Sequence, residues 1–144
     1  MIGGVKRRSA ILRWLPAVAW MALIFVLSSR SDLPSPPGPL LERLFEKGAH
    51  VATYAILAIL IERALALPRG GKLAALIFTM LYAASDEFHQ SFVPGRTPSV
   101  ADGVADLVGA LCGLYALRLR SLFTGGRARS SRDRHGPADG APSV

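Results

Sequence analysis

The 144-residue chain is short of the residues that most soluble chemistry relies on. It has one cysteine, Cys112, which excludes an intramolecular disulfide and a cysteine-rich metal site. Only 19% of its residues are charged, against roughly 25% in a typical soluble domain. It has no glycine-rich nucleotide fingerprint, no His-Glu-x-x-His spacing and no internal repeat. What it has in quantity is apolar surface. Hydrophobic residues make up 51% of the chain and fall in long uncharged runs, not in the alternation of a half-buried strand or helix. The length allows one domain, and the runs make it a membrane domain.

The first run, Trp14 to Ser29, follows Lys6, Arg7, Arg8 and Arg13, with Pro16 near its start. Val26-Leu27-Ser28 is a poor leader-cleavage site, so the run reads as a first transmembrane helix. Residues 30–39 hold four prolines and Gly38, a stiff loop. An amphipathic lead, Leu40, Leu41, Leu44 and Phe45, feeds a second span over Gly48 to Leu67 that stops at Pro68, Arg69, Gly70 and Gly71. The third span starts at Leu73 and ends on Asp86 to Gln90, before a loop with Pro94, Gly95 and Pro98. The fourth runs from Val100 to Leu117. The expected fold is therefore all-α with four transmembrane helices. A basic N-terminus occupies 1–13, the membrane domain 14–117, and a basic tail 118–144. The Gly, Ser, Pro and Arg content of 124–144 predicts disorder there.

Four spans put both termini and the loop at 68–72 on one side, together with thirteen of the seventeen Lys and Arg residues. The positive-inside rule makes that side cytoplasmic, in a bacterial inner membrane. Three acidic residues accompany those thirteen, whereas the outer side holds four basic and seven acidic ones. The net charge of +7 thus hides an acidic outer face. Nucleic acid is excluded as a partner, because the basic tail has no interleaved aromatics and the topology accounts for its arginines.

The outer charges lie at one membrane level. Leu73 to Ser85 covers only about 20 Å of a core about 30 Å thick, so Asp86, Glu87 and His89 sit at the outer leaflet. Lys47 and His50 on the second span, and Asp102 and Asp106 on the fourth, reach the same level. Residues three, four and seven apart share a helix face, which gives three stripes: Tyr82, Asp86 and His89; Lys47, His50 and Tyr54; Asp102, Asp106, Gly109 and Gly113. The last ends in a Gly-xxx-Gly pair that lets another helix come close. Its carboxylates therefore face the bundle, where they avoid about 2.5–3.5 kcal/mol of lipid exposure. The expected result is an outward polar pocket lined by His50, Asp86, Glu87, His89, Arg96, Asp102 and Asp106.

The same residues carry a resemblance. Lys47-xx-His50-xxx-Tyr54, then Asp86-Glu87-Phe88-His89-Gln90-xx-Val93-Pro94-Gly95-Arg96, then Asp102-xxx-Asp106-xx-Gly109-xxx-Gly113, resembles the VanZ-like family of small bacterial membrane proteins. Ser28-Ser29 before a proline-rich loop also fits its first helix, and the match spans about residues 14–117. The family's usual residue at 106 is Asn, so Asp106 adds a negative charge. The family is named for a member associated with low-level teicoplanin resistance, which implies a cell-envelope setting and no particular reaction.

Three readings of the cluster stay open. It is a structural ion-pair network, with Arg96 bridging Asp86 or Asp102 and Lys47 pairing with Glu87. Or it is an enzyme site for a lipid-linked cell-wall precursor, with His50, Asp86, Glu87 and His89 as catalytic acid and base groups. Lys47, Gln90, Arg96, Asp102 and Asp106 would then bind substrate or phosphate. Or it is an accessory site that binds the precursor or a glycopeptide without chemistry. No cofactor is required. A divalent cation on His50, Asp86, His89 and Asp106 is the minor variant. Four short helices leave little room for alternating-access transport. Cys112 is expected to pack inside the bundle, and Trp14 and Trp20 to face lipid or its interface.

Overall fold

The computed structural model describes residues 3–32, 34, 36–67, 70–97 and 99–130, and side chains for those of them within 11–116. The order is α1 (Gly3–Ser28), α2 (Pro39–Leu65), α3 (Gly71–Gln90) and α4 (Val100–Ser130), with no strand among the described residues. Ile11–Ser28 and Pro39–Leu65 are each long and apolar enough to cross a membrane. The chain separates into two compact units, Met1–Leu114 and Tyr115–Val144. In the second, α4 continues to Ser130. Residues 118–130 of the basic tail, including 124–130 where composition predicts disorder, are therefore helical. The rest of that tail, 131–144, lies outside the described residues.

Helix boundaries follow local chemistry. Pro39 stands in the first turn of α2, where its missing N–H has no intrahelical partner to lose, so the proline-rich loop ends one residue earlier than its composition predicts. The far end closes on Ala66, at φ 49°, whose N–H reaches Glu62 O at 3.2 Å in a left-handed cap. Gly70, at φ 75°, leads into α3 and needs glycine's freedom there. At the other end of the chain α1 starts at Gly3, well ahead of Trp14. Pro16 is consequently inside the helix, not at its start, and removes one donor from the ladder.

α2 is the hub. Leu57, Ala58 and Ile61 are buried against Ala17 and Ile24 of α1, Ala75 and Ala83 of α3, and Ala110 and Leu114 of α4. The alanines let the helices approach closely. Trp20 Nε1 donates to Thr53 O at 3.0 Å, and Trp14 meets Phe78 edge-on at 6.4 Å. Both tryptophans are partly buried against the core, not turned to the surroundings as expected. Cys112 makes the opposite departure and is exposed. Large apolar side chains are also exposed on every helix, among them Leu12 (63%), Leu44 (62%), Leu81 (63%) and Leu111 (48%).

Candidate functional site

The α2 and α4 stripes meet. One turn apart on α2, Lys47 and His50 face Asp102 and Asp106 on α4. Lys47 Nζ pairs with Asp102 Oδ1. His50 Nδ1 lies 2.8 Å from Asp106 Oδ1, and its Nε2 lies 3.8 Å from Asp102 Oδ1. The next two turns of α4 bring Gly109 and Gly113 against the α2 backbone. A Cβ at Gly109 would stand 2.9 Å from Val51 Cα, and one at Gly113 would stand 3.0 Å from Ala55 Cα. The glycines and the carboxylates thus share one contact face, and the close backbone approach holds the ion pairs in register.

The third stripe turns to α1 instead. Tyr82 donates to Met21 O at 2.6 Å. Asp86 Oδ2 accepts from Ser28 Oγ at 2.8 Å, Gln90 Nε2 at 3.0 Å and Tyr54 Oη of α2 at 3.3 Å. His89 Nε2 is 3.0 Å from Ser29 Oγ, and its ring stacks on Phe25 at 4.3 Å between centroids. His50 and His89 are therefore committed to different seams. His50 stacks parallel to Tyr54, and His89 belongs to the α1 contact.

Loop contacts close this end of the bundle. Arg96 Nε and Nη2 donate to Arg30 O at 2.9 and 2.7 Å, and Nη1 is 3.9 Å from Glu46. The expected bridge from Arg96 to Asp86 or Asp102 is not formed, and Lys47 pairs with Asp102 in place of Glu87. Glu87 Oε2 accepts from the Ser99 N–H at 3.1 Å. Gly95, at φ 82°, lets the two loops touch, since a Cβ there would lie 3.2 Å from Ser31 Cβ.

Between these loops, α2 and the starts of the other seams lies a cavity of about 790 Å³. Lys47, His50, Asp86, Gln90, Arg96 and Asp102 line it. Glu87, His89 and Asp106 do not. Pattern reading missed Arg43 and Ser28, which also line it. The clue to Ser28 was a hydroxyl pair ending an apolar run. Three buried carboxylate oxygens at this level have no hydrogen-bond partner among the described residues: Asp86 Oδ1, Glu87 Oε1 and Asp106 Oδ2. Among the described residues no group of three His, Cys, Asp or Glu side chains is placed to hold a metal ion.

Chemically, the cavity presents paired charges, one histidine held by a carboxylate, and a carboxylate held by three neutral donors. Ser28→Ala removes the shortest of those three donors. It should destabilise the fold by about 1 kcal/mol, read as a lower unfolding midpoint in detergent.

No curated protein and no solved structure matches the chain. The family profile described as VanZ/LLP1 matches residues 6–121, which takes in all the seams described above. The chain belongs to the VanZ/LLP1 family.

Proposed function

We propose that the protein spans a bacterial inner membrane four times, with both termini cytoplasmic, and that its outward cavity binds the polar headgroup of an amphiphilic envelope molecule. The observation that carries this reading is a cavity of about 790 Å³, walled by charges of both signs, at one end of a helix bundle with apolar flanks. Exposed leucines on all four helices are unfavourable in water and suit lipid. With 20 residues, α3 reaches about 30 Å, enough to cross the hydrocarbon beside α1 and α2. The distribution of basic residues supports the orientation. A headgroup at the outer leaflet would meet the cavity, and a role in the cell envelope or in tolerance to teicoplanin would follow from occupying such a molecule.

Native mass spectrometry of the detergent-purified chain with lipid-linked cell-wall precursors tests this reading. One ligand per chain, saturable, is expected. Ala101 lines the cavity and is exposed. Ala101→Trp should therefore weaken binding about tenfold while leaving stability within about 0.5 kcal/mol. Absence of saturable binding contradicts the proposal.

A second reading is favoured by one contact. Asp106 holds His50 Nδ1, which frees Nε2, near Asp102 and beside the cavity, to act as a general base. His89 is not available as its partner, so this chemistry would rest on a single histidine. A new product from the same precursors, detected by mass, would support it.

A further inference from the structure

Asp86 is 4% exposed and lines the cavity, yet no ion pair reaches it among the described residues. Its three donors, from Ser28, Tyr54 and Gln90, are neutral and all converge on Oδ2. Oδ1 is buried with no partner. A buried carboxylate left in this state is costly unless a cation or proton donor completes it. Two cations of the wall are engaged elsewhere: Lys47 with Asp102, and Arg96 with Arg30 O and Glu46.

We propose that the cavity is a primary-ammonium site, in which the N–H donors of a headgroup close on Asp86 Oδ1. This deepens the headgroup reading above and rests on it. A bare metal ion needs about six oxygen ligands, more than one free carboxylate oxygen begins to supply. An ammonium needs only an acceptor for one or two N–H bonds. The wall also contains Ile24, Leu27 and Phe45, apolar surface suited to the carbon body of an organic amine. The level fits as well. Ser28, which donates to Asp86, is the last residue of α1, and Ile11–Ser28 rises about 27 Å, close to the thickness of the hydrocarbon. Asp86 thus stands where lipid headgroups begin. The oxygen calls for a donor, so a trimethylammonium, which has no N–H, cannot complete it.

Calorimetric titration of the full chain in micelles with short-chain phosphatidylethanolamine, phosphatidylcholine and phosphatidylglycerol tests this, with O-phosphoethanolamine as the chain-free probe. Phosphatidylethanolamine is expected to bind about tenfold or more tightly than the other two lipids. Asp86→Asn should remove that preference. The lipid comparison on the unaltered protein decides the matter even if that variant fails to fold. O-phosphoethanolamine binding as tightly as the lipid assigns the ammonium site to a soluble amine; weaker binding assigns it to the lipid. Equal affinity for all three lipids overturns the ammonium site and leaves the headgroup reading standing. No binding of any of these lipids overturns the ammonium site, and the precursor titration above decides the headgroup reading separately.

Discussion

Gly109→Ala is expected to destabilise the protein by about 3 kcal/mol, a large effect for one methyl group. The added Cβ would meet the carbonyl carbon and Cα of Val51 at 2.9 Å, and these are backbone atoms. A side chain could rotate away, but a helix backbone can yield only by moving the helix. Separating α2 from α4 would stretch the His50–Asp106 and Lys47–Asp102 contacts, respectively one and two turns nearer the start of α4. Gly113→Ala should act in the same way through Ala55. Gly103→Ala is the matched control, because nothing lies within 4 Å of its Cβ position. It lies on the same helix, where replacing glycine by alanine favours the helix by up to about 1 kcal/mol. Denaturant unfolding in detergent should therefore move the midpoint down for Gly109→Ala and level or up for Gly103→Ala.

His50→Ala should be the most damaging single change in the polar seam, at about 3–5 kcal/mol. Among the described residues, it leaves Asp106, 1% exposed, without the only partner of its Oδ1, while Oδ2 already has none. Asp106→Asn should be far milder, within about 1 kcal/mol. The amide oxygen can still accept from His50 Nδ1, and the unpartnered oxygen gives way to an uncharged group. The double variant His50→Ala with Asp106→Ala should recover part of the loss, since no charge is then stranded. Unfolding free energies of His50→Ala, Asp106→Ala and their double variant measure that coupling. Additive losses would show that His50 and Asp106 do not act as a pair.

Much of this arrangement was legible in residue spacing. Each of the three stripes occupies one helix face. Asp102, Asp106, Gly109 and Gly113 meet α2 together, and Tyr82, Asp86 and His89 meet α1 together. A helical period identifies the residues that share a face but not the helix that face will meet. That limit explains the departures. Depth alone puts His89 beside His50, whereas α3 presents its stripe to α1. Arg96 was paired with carboxylates on charge alone, whereas the loop backbone at Arg30 offers its guanidinium two contacts. Helix ends were the least legible feature. Hydropathy reports the membrane-suited stretch, and a helix can outlast it: α1 begins at Gly3, and α4 runs to Ser130 through a Leu- and Arg-rich segment with no proline before Pro137. The exposed Cys112 illustrates a further limit, since an apolar run can carry an exposed face as well as a core face.

The cavity is proposed to open to the outside of the membrane. Cysteine accessibility measures this directly. Thr97 lines the cavity on the loop between α3 and α4, and Leu67 follows α2 at the opposite end; both are exposed. In a Cys112→Ser background, intact spheroplasts are treated with a membrane-impermeant maleimide. Thr97→Cys is predicted to label at once, and Leu67→Cys only after the membrane is permeabilised. Labelling of Leu67→Cys from outside, with Thr97→Cys protected until permeabilisation, would contradict the account.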